Sequence, residues 1–250
     1  MSTQTHSMTE RLIRDADIVE GMRVLDLGCG GGAVTLLVAD AVGPDGQVVG
    51  IDRTERVLEK ARERASADQI SQVEFVQGDL SGPLPELGQF DAIIGRRVLM
   101  YLPEPVETLR KVSSLLKDGG VIAFQEVDAT LEAGCLQELP LHKKVNDWLW
   151  QTIEREGGTR NMGFLLPSVL QRAGFSVAEL RAEGNIEGEK LHSPLATIVQ
   201  AIVPRIVRHG VATEEEIELE TLAQRLEAER AVDSVFIGSL NFTIWGHKLK

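Results

Sequence analysis

Two cysteines, Cys29 and Cys135, are the only thiols in 250 residues, and they stand far apart in the chain. That excludes a disulfide-framed secreted scaffold and leaves both as small hydrophobes expected in a reducing, cytoplasmic setting. No Cys-x-x-Cys, His-Glu-x-x-His or EF-hand spacing occurs, so no structural zinc, zincin or calcium site is legible and no metal is expected. No run approaches the ~18 to 20 apolar residues of a membrane span, and Met1–Glu20 is polar rather than signal-like. Positive charge is also short. With 26 basic against 38 acidic side chains the formal net charge is −12, which repels phosphate backbones and disfavours nucleic acid as a partner. Hydrophobic residues make up 43% of the chain, enough to bury the core of one domain over residues 1–250.

Short β-rich apolar runs alternate with helical patterns through the first half. Met8–Glu20 reads as a helix and Arg23–Leu27 as a strand stopped by Gly28, Gly30, Gly31 and Gly32. Helices over Ala33–Ala41 and Glu55–Ala65 flank a strand at Gln47–Ile51. Val73–Gln77, Asp91–Gly95 and Val121–Glu126 read as further strands, with a helix over Val106–Leu116 between the last two. Apolar strands joined by helix-length connections form parallel βαβ units with both sheet faces covered, so the class is α/β. Beyond Val127 the spacing predicts helices over Leu136–Arg155, Leu166–Ala173, Ser193–Arg208 and Thr213–Arg230, and strands over Val177–Ala182 and Phe236–His247. Helices inserted this late, over 136–163 and 190–232, commonly cover a site.

Open α/β sheets take ligands at the carboxyl ends of their strands. Strand one ends in Asp26-Leu27-Gly28-Cys29-Gly30-Gly31-Gly32, where glycines permit a tight turn and a close backbone approach. Strand two ends in Asp52, a carboxylate within reach of a ribose diol, and strand three is followed by Asp79-Leu80. Gly28, Gly30 and Ala33 also satisfy the dinucleotide pattern G-x-G-x-x-G/A, which keeps an NAD-linked oxidoreductase open. Against it, Asp26 sits where a pyrophosphate would lie, and no Lys or Arg falls between Val24 and Asp52. Backbone amides alone can hold phosphates, but a ligand with an amino group and a sulfonium suits these carboxylates better.

Asp26–Gly32, Asp52, Asp79-Leu80 and Phe90-Asp91-Ala92-Ile93-Ile94 together resemble the class I methyltransferases that use S-adenosylmethionine (SAM). Gly95–Pro105 and Leu116-Lys117-Asp118-Gly119-Gly120 resemble the ubiquinone/menaquinone-methyltransferase-like, small-molecule branch. The likeness is strong over Met22–Glu126 and looser over Phe164–Ala173 and Phe242–His247. It implies a Rossmann-like, doubly wound, mainly parallel seven-stranded sheet with the last strand antiparallel, residues 1–128 as the SAM-binding core, and an inserted helical lid. It also implies roles. Gly28, Gly30 and Gly32 approach the methionyl part, and Asp26 meets its ammonium. Asp52 accepts from the ribose hydroxyls, Asp79 bonds the adenine amino group and Leu80 packs on the ring. The backbone near Arg96 lines the methionyl end, and Arg53 lies along the adenine or points to solvent. S-adenosylhomocysteine (SAH) is then the product, and a small acceptor is methylated at O, N or C. A SAM-binding protein without methyl transfer, a regulator or a SAM-assisted enzyme, fits the same motifs.

The acceptor side carries weaker signals. Arg97 and Tyr101 follow strand four, with no Asn/Asp-Pro-Pro-Tyr motif there, and with His142 they are the candidate catalytic groups. Glu126 and Asp128 end strand five; at least one of them reads as a solvated loop carboxylate. Trp148 and Trp150 lie ~200° apart around a helix, so one must meet a second apolar surface: a pocket, a lid helix or a second copy of the chain in a homodimer. His142, Asn146 and Trp150 share a stripe that is either ordinary packing or acceptor-facing. The loop Gly157–Gly163 resembles one beside the lid in relatives, which makes Arg160 and Asn161 substrate candidates. His6, His192, His209 and His247 carry no partner pattern and default to surface or structural roles. Thr213–Arg230, with seven glutamates, reads as a mostly solvated outer helix.

Overall fold

The computed structural model describes residues 3–131, 134–187, 195–230 and 235–249; His192 and part of the 190–232 segment lie outside them. Seven strands form one sheet: β1 Arg23–Leu27, β2 Gln47–Asp52, β3 Val73–Gln77, β4 Phe90–Arg96, β5 Leu116–Asp128, β6 Glu179–Glu187 and β7 Phe236–His247. Their order is β3-β2-β1-β4-β5-β7-β6. The first five pair in parallel, and β7 runs antiparallel to both β5 and β6. The doubly wound, mainly parallel sheet with an antiparallel last strand is the architecture expected.

Alternation within the strands sorts side chains to two faces. On one, Val24, Val48, Ala92, Ile94 and Ala123 pack with Leu12 and Ile13 of α1 (Thr3–Asp15) and Val34 and Val38 of α2 (Ala33–Val42). On the other, Leu25, Leu27, Ile93, Ile122 and Phe124 pack with α4 (Pro105–Ser113), the carboxyl half of α5 (Pro140–Arg155) and α6 (Met162–Arg172). Helix α3 (Glu55–Ala67) adds Leu58, Ala61 and Ala65 beside Phe75. A separate cluster joins Val145 and Trp148 of α5 to Val199 and Ile206 of α7 (Leu195–Arg208), Ile217 of α8 (Glu214–Ile217), and Leu222 and Leu226 of α9 (Leu219–Arg230). This second core holds the late helices together away from the sheet.

Several boundaries depart from expectation. The first helix stops at Asp15 because Asp17 adopts left-handed φ 53; buried Ile18 mimics another helical turn but lies beyond it. β5 starts at Leu116, ahead of Val121, because Gly119 at φ 74 lets the turn run into the ladder, with a register shift between Phe90 and Ala92. The single helix expected over Thr213–Arg230 breaks at Glu218, whose φ is 47. β6 begins and ends later than Val177–Ala182 because it pairs with β7 as far as Phe236.

Candidate functional site

The loop after β1 is shaped by three left-handed glycines, Gly28, Gly30 and Gly32, at φ 62, 52 and 76. A Cβ on Gly28 would strike Val98 Cγ2 at 2.7 Å, and one on Gly32 would press on Ala61 and Phe75 at 3.1 Å. Gly30 and Gly31 instead face open space, with nothing within 4 Å. The loop is thus closed from behind and open in front. Asp52, half-buried at the end of β2, fixes it: Gly30 N donates to Oδ2 at 3.0 Å and Thr54 N to Oδ1 at 2.9 Å. A carboxylate offers about four lone-pair sites, so both oxygens keep capacity for further donors.

Asp26 is 1% exposed. Among the described residues its side-chain donor is Thr35 Oγ1 in the first turn of α2, at 2.6 Å. Burial pushes its pKa up to about 7, against the Thr35 bond and the nearby positive charge of Arg96. Arg96 ends β4 on the same face; Nη1 donates to Thr9 Oγ1 of α1 at 2.9 Å, and Thr9 donates on to Gln125 Oε1 at 2.7 Å. A buried polar layer therefore lies between α1 and the carboxyl ends of β1, β4 and β5. Beyond β3, Asp79 is exposed and accepts from Ser81 N at 2.8 Å, whereas Leu80 is buried at its side. Arg53 points outward.

The expectation that at least one of Glu126 and Asp128 is a solvated loop carboxylate is corrected: both are buried caps. Glu126 is wholly buried, and its Oε1 accepts from Val98 N at 2.9 Å and Leu99 N at 2.8 Å, capping the 3-10 turn Leu99–Tyr101. Burial lifts its pKa to about 7 despite those bonds. Asp128 accepts from Thr130 N and Oγ1, and from Phe164 N in the first turn of α6. Parallel strand ends expose backbone donors that side-chain carboxylates satisfy. Arg97 and Tyr101 flank Glu126, both within its electrostatic reach.

The remaining candidates divide. Trp150 packs in the central core and Trp148 with α7, α8 and α9, so the second surface demanded by their spacing is this group of late helices. His142 is 3% exposed; its Nδ1 meets Glu229 Oε2 at 2.7 Å and its ring stands edge-on to Phe236. Asn146 donates to His142 O within α5 at 3.0 Å. Arg160 is held by Glu154 through two bonds, at 2.6 and 2.7 Å, and Asn161 precedes α6 without capping it. The stripe and the loop are thus engaged in packing and pairing, apart from the polar layer under α1.

Thr35, Thr9 and Glu229 escaped the sequence reading. Thr35 had a signal, a hydroxyl in the otherwise apolar opening of helix α2. Thr9 and Glu229 had none, since each acts on residues far away in the chain.

A glycine loop backed by carboxylates at successive strand ends, on a sheet of this order, defines the class I methyltransferase fold. Residues 18–174 match the family described as methyltransferase domain, and the chain belongs to it. It is 34% identical over 133 residues to aklanonic acid methyltransferase DauC of Streptomyces sp. strain C5, covering 53% of this chain and 60% of that one. Demethylmenaquinone methyltransferase of Lactococcus lactis is 33% identical over 112 residues, 44% of each chain. The chain thus spans less than two thirds of these curated relatives. Among solved structures, a methyltransferase fold from Bacillus halodurans superposes with TM-score 0.65 at 21% identity, covering 98% of this chain and all of the other. The (4+2)-cyclase SpnF superposes at TM-score 0.62 and 19% identity, covering 100% and 84%.

Proposed function

We propose that this chain transfers a methyl group from SAM to a small organic acceptor at O, N or C. The arrangement of Asp52 carries the reading: it holds the open glycine loop through Gly30 N while keeping acceptor capacity on both oxygens. That capacity fits a ribose diol. Space in front of Gly30 and Gly31 fits the methionyl chain, and Asp26, with one side-chain donor against its burial, fits an ammonium group. Asp79 and Leu80 are assigned to the adenine, with Arg53 at its edge and the Arg96 backbone beside the methionyl end. A buried carboxylate at this point opposes a pyrophosphate, which counts against NAD.

When bound, SAM supplies a methyl group on a positively charged sulfonium and is left as SAH. The chain's own work is to orient the acceptor in line and exclude water. That work is assigned to the sheet edge at Arg97 and to the cover of α5 and α7–α9, with residues 1–128 as the cofactor-binding core. The named substrates of two relatives, aklanonic acid and demethylmenaquinone, support a small organic acceptor. Among the described residues no helix is long and apolar enough to cross a membrane, in keeping with a cytoplasmic enzyme, and a homodimer is compatible with it.

Calorimetric titration with SAM, SAH and NAD in parallel tests the reading. SAM and SAH should bind and NAD should not, and Asp52→Ala should weaken SAM by about 1.5–3 kcal/mol, the worth of charged hydrogen bonds. Binding of NAD alone would return the loop to the dinucleotide reading. Binding of SAM with no SAH formed from any acceptor in a broad screen would favour a non-methylating protein, since one fold can host several chemistries.

A further inference from the structure

Arg97 turns the chain just past β4 with a left-handed φ of 54, at the edge where open α/β sheets take ligands. A residue with a side chain is strained there, and such strain clusters at functional sites. Among the described residues no hydrogen bond to the side chain offsets that strain. Its Nε is buried without a hydrogen-bond partner, and among the described residues its guanidinium makes no ion pair. Arg160, Arg181 and Arg205, by contrast, each hold a carboxylate. The carboxylate nearest in effect, Glu126, is committed to Val98 N and Leu99 N.

A buried donor left unpaired is costly, and each one in a folded protein calls for a partner. A guanidinium presents a planar fork that matches an oxyanion through two parallel bonds. The location separates this fork from Asp26, the place assigned to the cofactor's ammonium. Asp26 lies on the α1–α2 face with Val24 and Ile94, whereas Glu126 and the turn bearing Tyr101 lie with Leu99, Met100 and Phe124, under α5 and α6. Tyr101 is the only tyrosine in the chain and stands half-exposed within the field of Arg97.

We propose that Arg97 is the recognition group for an oxyanion of the acceptor, with the Tyr101 hydroxyl beside it. The acceptor is therefore an acid, bound through a carboxylate or an ionised phenol or enol. This rests on the methyl-transfer reading, because it takes the open edge beyond β4 as the acceptor's place.

The test uses three probes, 2-naphthoate, its neutral amide 2-naphthamide, and 4-nitrophenolate, titrated into SAH-loaded and SAH-free protein at pH 7.5. At least one anion should bind the wild type tenfold or more tighter than the amide, and which anion does so separates a carboxylate site from a phenolate site. Arg97→Met should remove that preference while amide and SAH affinities stay unchanged, and Arg97→Lys should restore part of it. Both variants keep a non-glycine residue at the strained position and break no hydrogen bond among the described residues, so folding should persist; the unchanged SAH affinity verifies it. Equal binding of anions and amide by the wild type, an unchanged preference in Arg97→Met, or no binding of any probe overturns the proposal. Failure of wild-type protein to bind SAM or SAH overturns the methyl-transfer reading instead, and the SAH-free titrations then decide Arg97 alone.

Discussion

Thr35 Oγ1 donates a 2.6 Å hydrogen bond to Asp26 Oδ2 and so ties the first turn of α2 to the end of β1. The bond works against burial, which pushes the Asp26 pKa up to about 7. Between its ordinary value of 3.8 and about 7, the folded state holds a proton that the unfolded chain has released. Stability therefore falls as pH rises through that window and levels off above it. Denaturant titration of the ligand-free protein at pH 5 and pH 7.5 checks the sign. Asp26→Asn should gain on the wild type by about 1–3 kcal/mol between the two pH values. The contribution of Glu126, also raised to about 7, is common to both proteins and cancels. Thr35→Val, which removes the donor at nearly constant volume, should lose about 1–3 kcal/mol at pH 7.5 and less at pH 5.

Gly28 and Gly30 share a left-handed backbone but differ in what lies behind it, so alanine at each should fail differently. Gly28→Ala must drive a methyl into Val98 Cγ2, at 2.7 Å, on top of the backbone penalty of ~1–2 kcal/mol. It should destabilise the protein strongly. Gly30→Ala meets open space and should cost only that backbone penalty, yet its methyl occupies the place assigned to the cofactor. Thermal melting and SAH titration separate the two: Gly30→Ala should melt near the wild type and bind SAH at least tenfold more weakly. Full SAH affinity in folded Gly30→Ala would displace the methionyl chain from that position.

The sheet and its ligand edge were legible because their signals are local. β1, β3 and β7 fall where alternation and glycine punctuation put them, and Asp26, Asp52 and the glycines arrive at one edge because parallel strands all end there. The misread features depend on contacts distant in sequence. Nothing near Glu126 announces that it will cap Val98 N and Leu99 N, and a carboxylate after an apolar strand looks the same whether solvated or buried. Glu229 caps α5 from 88 positions beyond Leu141, inside a glutamate-rich helix where no single residue stands out. Helix stops at Asp17 and Glu218 were missed because left-handed Asp or Glu is uncommon, and spacing alone lets the periodic pattern run on.

The two tryptophans of α5 belong to different cores, and truncating each should have different reach. Trp148 packs with Val199, Ile206 and Leu222 in the helical cover, while Trp150 packs with Ile153, Met162 and Leu166 against the sheet. Either loss to alanine should cost ~3–5 kcal/mol locally. Hydrogen exchange followed by mass spectrometry should show Trp148→Ala loosening α7 and α9 while β1, β2 and β4 stay protected. In Trp150→Ala the weakening should extend to β4, β5 and α6. SAH affinity should survive the first change and fall with the second.

Helix α9 is fastened to the amino terminus of α5 through Glu229, and that polar cluster offers a clean way to loosen the cover. Glu229 Oε1 accepts from Leu141 N and Oε2 from His142 N, both at 2.8 Å, and Oε2 also meets His142 Nδ1 at 2.7 Å. One carboxylate thereby serves two orphan donors of the α5 amino terminus and one imidazole. The same contacts hold the Glu229 pKa below its ordinary range despite burial, so the charged form carries them at neutral pH. Glu229→Ala strands three buried polar groups and should destabilise the cover by about 2–4 kcal/mol. Glu229→Gln keeps an acceptor for one or two of them and should recover part of the loss. Neither residue touches the glycine loop, so SAH should bind both variants as it binds the wild type, while exchange protection falls in α5 and α9. An equal loss of SAH affinity in Glu229→Ala would mean that the cover is coupled to the cofactor site and helps to build it.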